Sequence, residues 1–319
     1  MTGLVQALIR SLAWVGRHGA AGFAIAIIAG IALPGLANTF RPVLPVTIFL
    51  FVALTFARAD FAGVRRVFAA RQRLVLMTGW ITLCMPVIIL PSVMAIGRDH
   101  IEPGLLLGIA LVAAAPPLMG FPAYAALLGL DNSIGIALLL ITLAATPLIA
   151  PSMASLVAGA AVPIDPVVLS LRLATLLGGA GLLALLLRRF VGPPRLARLR
   201  HELDGLNVLI YFVFAIAAMD GVIDAALNTP GTVALHLAVG SGIAVVGLAT
   251  TYALMRPIGR PDAFVLGLGT GMRNSGLLVA SLGAACPTTT YLFFSLLQIP
   301  IYCAPLVVGP LVRRLKASP

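Results

Sequence analysis

Long apolar stretches, each about the length of a bilayer crossing, alternate along the chain with short gaps rich in arginine. A helix needs about 20 mainly apolar residues to cross the hydrocarbon core. That criterion predicts spans near residues 18–37, 43–57, 74–96, 104–128, 133–158, 166–187, 206–226, 232–255, 263–285 and 290–312. The second is short and the fourth is interrupted. Residues 1–17 carry Leu4, Val5, Leu8, Ile9 and Leu12 at helical spacing, with Arg10 and Arg17 alongside. This is the pattern of an interfacial helix or a lead-in to the first span, not of a cleavable signal.

Composition turns this pattern into a solvent argument. Only 10% of the 319 residues are charged, against about 25% in soluble domains, so lipid must cover much of the surface. The net charge of +11 would suit nucleic acid, but the basic residues lie between apolar runs and form no aromatic-interleaved stripe. They read as topology determinants. With the N-terminus inside, 17 of the 21 Lys and Arg residues fall in cytoplasmic segments, as the positive-inside rule requires. The outer segments hold Arg41 and Arg98. The expectation is a multi-pass inner-membrane protein with both termini cytoplasmic.

The gap 188–204 is the longest soluble segment and is expected to be a cytoplasmic linker. It follows residues 18–187, a first five-helix repeat with the lead-in of span six, and precedes 205–319, the remainder of a second repeat. An odd number of spans per repeat inverts the second relative to the first. The expected fold class is therefore all-α integral membrane: ten transmembrane helices in two inverted five-helix repeats.

Two spans at matching positions are broken. The fourth contains Ala115-Pro116-Pro117-Leu118-Met119-Gly120-Phe121-Pro122, and the ninth contains Gly267-Leu268-Gly269-Thr270-Gly271-Met272-Arg273-Asn274-Ser275-Gly276. Proline removes backbone donors and glycine lowers the cost of unwinding. Unwound backbone at membrane depth survives only inside protein or beside a wet cavity. A pair of such interruptions in corresponding spans points to a transporter's binding site. The glycine run follows no strand, so it is not a nucleotide-binding turn.

The stretch Gly271-Met272-Arg273-Asn274-Ser275-Gly276-Leu277 resembles the bile acid:sodium symporter family, and Pro116-Pro117 through Asn132 is similar to that family's fourth-span break. The resemblance is specific over about eight residues and otherwise rests on span number and break positions. It implies a core of spans 3–5 and 8–10, with broken helices 4 and 9 crossing near the midplane. It also implies a panel of spans 1, 2, 6 and 7 that moves against the core. Departures from the family pattern fall on the sodium ligands. Gly269 stands where the family has glutamate, Arg273 where it has glutamine, and Pro122 and Ala123 where it has a Ser-Asn pair. The third span offers only Thr78, Thr82 and Ser92. Hard cations need several oxygen ligands, so these departures argue against sodium coupling through the family's sites.

Arg273 admits two readings. It is either a fixed cation in the volume of a sodium ion, held by carbonyls of the unwound ends, or a bidentate ligand for an anionic substrate. Pro122 suits a first helical position, and Asn274 or Ser275 suits a cap. Two helix N-termini at the site add partial positive charge. Together these predict a site for a small organic anion formed by Pro117, Gly120, Pro122, Thr270, Met272, Arg273, Asn274 and Ser275. Thr142, Thr146, Thr270 and Ser275 either line the cavity or bond helix carbonyls. Arg172 and Asp220, each roughly 10 Å deep at 1.5 Å per residue, form a candidate charge pair. If a proton is the coupling ion, Asp220 is the first candidate to carry it and His236 the second.

Cys84, Cys286 and Cys303, like His18, His100, His201 and His236, show no disulfide, metal or nucleophile spacing. No metal, no cofactor and no enzymatic activity are expected. The expected function is secondary transport by alternating access; a membrane solute sensor or a channel using the same pocket is the alternative.

Overall fold

The computed structural model describes residues 28–59, 71–122, 133–162 and 164–317, together with residues 11 and 125. The expected interfacial segment 1–17 apart from residue 11, the first half of the first span (18–27), and Arg65, Arg66, Ala123 and Asn132 lie outside the described residues.

Secondary structure among the described residues is helical. Helix α1 (Pro34–Phe40) passes through a 3-10 turn at Arg41–Val43 into α2 (Leu44–Arg58). The gap expected near residues 38–42 is thus helical. Pro42 and Pro45 stand at the starts of their segments, where a missing N–H breaks no helical bond. Next come α3 (Arg71–Ile96), α4 (Pro103–Ala114), α5 (Ser133–Ala158), α6 (Pro166–Phe190) and α7 (Pro193–Arg198). The expected seventh span divides into α8 (Arg200–Ala218) and α9 (Val222–Asn228). Gly221 between them has φ 78°, a left-handed conformation that glycine enters without Cβ strain. The chain continues as α10 (Pro230–Met255), α11 (Arg260–Gly271), α12 (Ser275–Leu282) and α13 (Thr288–Ala317).

Six helical stretches among the described residues are long and apolar enough to cross a membrane: Pro34–Arg58, Arg71–Ile96, Ile134–Ala161, Pro166–Phe190, Arg200–Asn228 and Pro230–Ile258. The long helices turn large apolar side chains outward, Leu148 at 79% exposure being the extreme. Such surface is costly in water and neutral in hydrocarbon. The chain is an all-α protein with the helices of a multi-pass membrane protein.

Two compact units share the chain: residues 1–59 and 175–230 form one, residues 60–174 and 231–319 the other, and one of the three boundaries falls within α6. In the first unit α8 packs on α1 and α2. Two ion pairs tie it together, Arg41 with Asp220 at 3.0 Å and Arg58 with Asp204. In the second unit α4 packs on α5 and α13, and α3 on α5. Its short helices differ from the long ones. Every residue of α4 from Gly104 to Ala113 is buried, as is every residue of α12 from Ser275 to Ser281. A helix apolar and buried all round belongs inside protein.

Candidate functional site

The site is built by helices that stop early. At the start of α4 the Glu102 carboxylate accepts from the amides of Gly104 and Leu105 at 3.0 and 2.6 Å, and Pro103 holds the first helical position. Its end is fixed by Pro116 and Pro117. The carbonyls of Val112 and Ala113 would receive the amides of those two residues, and proline has none. On the other side α11 ends at Gly271 and Met272 is extended, with φ −98° and ψ 98°. A new helix starts at once, because the Asn274 side chain accepts from the Leu277 amide at 3.3 Å and caps α12.

The two unwound segments then satisfy each other. The Leu118 amide donates to the Met272 carbonyl at 2.7 Å, and the Asn274 amide donates to the Pro116 carbonyl at 2.8 Å. These bonds make an isolated antiparallel bridge between Pro117 and Arg273. Both breaks therefore lose their helical ladder at the same place and recover two bonds across it, as buried backbone must.

Arg273 stands at that crossing and is 2% exposed. Its guanidinium donates to the Ile81 carbonyl at 2.6 Å and the Ala113 carbonyl at 3.3 Å. Among the described residues no carboxylate pairs with it, and the ion pairs involve Arg41, Arg58, Arg73 and Arg200 instead. Three consecutive residues each keep a buried polar atom without a hydrogen-bond partner: Arg273 Nε, Asn274 Nδ2 and Ser275 Oγ. All three are donors. Buried unsatisfied groups are rare in native proteins, so three in succession beside an unpaired positive charge mark a site.

A small cleft adjoins the crossing, lined by Thr82, Pro116, Pro117, Thr142, Thr146 and Arg273 among others. Thr142 and Thr146 both line it and bond helix carbonyls, those of Leu138 and Thr142 at 2.7 Å each. Their lone pairs, not their protons, remain available. Of the expected site residues, Pro117 and Arg273 line the cleft, while Asn274 and Ser275 follow Arg273 in the chain at the start of α12 without lining it. Thr270 is fully buried and donates to the Leu266 carbonyl. Met272 packs into an apolar core with Phe264 and Leu268, contributing only its carbonyl to the crossing. Gly120 is half-buried and Pro122 buried, but neither lines the cleft.

The expected charge-pair residues Arg172 and Asp220 fall in different units of the chain, and each has partners within its own. Asp220, in the turn after α8, accepts from Arg41 at 3.0 Å. Arg172 donates to the carbonyls of Ser281 and Leu282 at 3.2 and 2.8 Å. Those carbonyls end α12, where no intrahelical donor follows and the helix dipole is negative. A cation is satisfied there without a carboxylate. His236, the other candidate proton carrier, is buried with its ring edge-on to Phe293 and Nδ1 unpartnered.

Carbonyls of the unwound ends were expected around Arg273, but without residue numbers, and the Ile81 carbonyl of α3 was not among them. Main-chain oxygen leaves no trace in side-chain patterns; only Pro117 gave notice of one of them. No family model and no curated protein matches the chain.

Proposed function

We propose that this protein is a secondary transporter of the inner membrane that moves a small organic anion by alternating access and resembles the bile acid:sodium symporters. The observation that carries this reading is the row of three unpartnered donors at residues 273–275, joined to a buried guanidinium. A carboxylate or sulfonate offers the acceptors that those donors lack, and it neutralises the charge. The division of the chain into residues 1–59 with 175–230 and residues 60–174 with 231–319 supports a panel and a core of the membership that the resemblance implies.

The proposed topology has ten spans in two inverted repeats, with the linker 188–204 cytoplasmic and the broken helices crossing near mid-membrane. A charge at that depth costs at least about 2.5–3.5 kcal/mol. Two carbonyl bonds to a charged donor, at about 1.5–3 kcal/mol each, offset that cost and leave the net charge in place for a ligand. Lipid and the anion are the proposed partners. Coupling to sodium through side-chain ligands is not part of the proposal, and a proton remains the candidate coupling ion.

Counterflow in liposomes tests the reading. Vesicles loaded with an unlabelled short-chain keto acid or sulfonate should accumulate the labelled solute transiently. Binding without exchange would make the protein a sensor, whereas flux that fails to saturate and shows no counterflow would make it a channel. Uptake of neutral or cationic solutes alone would defeat the anion assignment.

A further inference from the structure

The two terminal nitrogens of Arg273 are held by main-chain oxygen alone. One partner, the Ala113 carbonyl, is released from its helix because residue 117 is proline. The other, the Ile81 carbonyl, lies in α3 next to Thr82, whose own carbonyl is released because residue 86 is proline. Val112 loses its helical donor to Pro116 by the same rule. Of these four carbonyls only those of Ala113 and Ile81 bond Arg273, and main-chain carbonyls turned on one charge are how a protein replaces the hydration of a cation. Here no acidic side chain assists, and no cluster of metal-ligating side chains occurs among the described residues.

We propose that the crossing is a carbonyl cage for a monovalent cation, and that the chain fills it with its own guanidinium. The cation is covalently tethered, so it neither dissociates nor needs to be supplied. For transport this deepens the function proposed above and rests on it: anion exchange should proceed without any metal co-ion. The cage itself stands on the geometry alone. Truncating Arg273 should leave oxygen ligands of the right shape for a free planar cation.

The test uses purified full-length Arg273→Ala. Guanidinium chloride at tens of millimolar should raise its thermal midpoint by about 3 °C relative to the unaltered protein in the same salt, as occupation of a native-state site does. Choline chloride should not, and neither should urea, which has the same planar shape without the charge. If Arg273→Ala yields no folded protein, Arg273→Gln takes the same titration. A midpoint that guanidinium fails to raise, or that urea raises equally, overturns the cage. In liposomes, exchange by the unaltered protein should be equal in choline, sodium and potassium, and guanidinium should restore several-fold the exchange lost in Arg273→Ala. Sodium-stimulated exchange by the unaltered protein would overturn the built-in cation. Absence of anion exchange in every medium would defeat the transport reading, leaving the thermal test to decide the cage separately.

Discussion

Replacing Gly271 by alanine tests how tightly the crossing is set. Gly271 ends α11 against α10, and a Cβ there would lie 2.4 Å from the Ala244 carbonyl oxygen and 3.3 Å from the Leu248 Cβ. Ordinary contact begins near 3.4 Å, so α10 or α11 must retreat by about 1 Å. The obstacle is main chain and has no rotamer to change. Overpacking of this kind costs typically about 1–3 kcal/mol, and a rigid neighbour argues for the upper end. Alanine's better helix propensity returns about 1 kcal/mol. The net loss, about 2 kcal/mol, corresponds to a fall in thermal midpoint of roughly 4–8 °C for a unit of this size. Gly242, on α10, is the control, because a Cβ added there meets nothing within 4 Å. Thermal unfolding of both variants in detergent should show Gly271→Ala lowered and Gly242→Ala unchanged or raised. Equal midpoints would refute the close approach and, with it, the placement of Arg273 that depends on where α11 stops.

Other perturbations separate binding from structure. Ser275→Ala removes one donor and should raise the KM for anion exchange at least about tenfold, the worth of a hydrogen bond to a charged acceptor, with little change in midpoint; an unchanged KM would remove Ser275 from the site. Pro117→Ala supplies an amide that competes with Arg273 for the Ala113 carbonyl. Exchange should fall roughly tenfold or more as the guanidinium shifts, while stability holds, and an unaffected rate would count against that carbonyl. A double-mutant cycle of Arg41→Gln and Asp220→Asn should give coupling of up to about 1 kcal/mol, since Arg41 is partly exposed and such pairs are weak. The cycle of Arg172→Gln with Asp220→Asn tests the expected charge pair: additivity would leave each residue with the partners of its own unit, and coupling would establish the pair.

Much of the architecture was legible because long apolar runs have one physical solution. The expected fifth span, 133–158, coincides with α5, and the expected eighth, 232–255, lies within α10. The breaks after α4 and α11 were legible too, since Pro116-Pro117 withhold two helical donors and the glycines around 271 lower the cost of unwinding. What prolines do not disclose is who takes the freed carbonyl. In α5, Pro151 releases the carbonyl of Pro147, and Ser170 of α6 donates to it at 2.6 Å. In α4, Pro117 releases that of Ala113, and the donor is Arg273, 160 residues away. The choice depends on packing between distant segments, which a local pattern does not carry. Depth along a helix likewise says how far Arg172 or Asp220 lies from the interface, but not which groups each meets within its own unit.

The bridge between the two unwound segments is composed only of amide and carbonyl groups, which nineteen of the twenty residue types supply alike. Side chains around the crossing can therefore drift through substitution while the stitch persists, and the chemistry of the adjoining cleft can be rewritten without dismantling the frame that presents it. The tolerance has two exceptions. Proline at 118 or at 274 would remove one of the two donated protons, cutting half the stitch at a stroke.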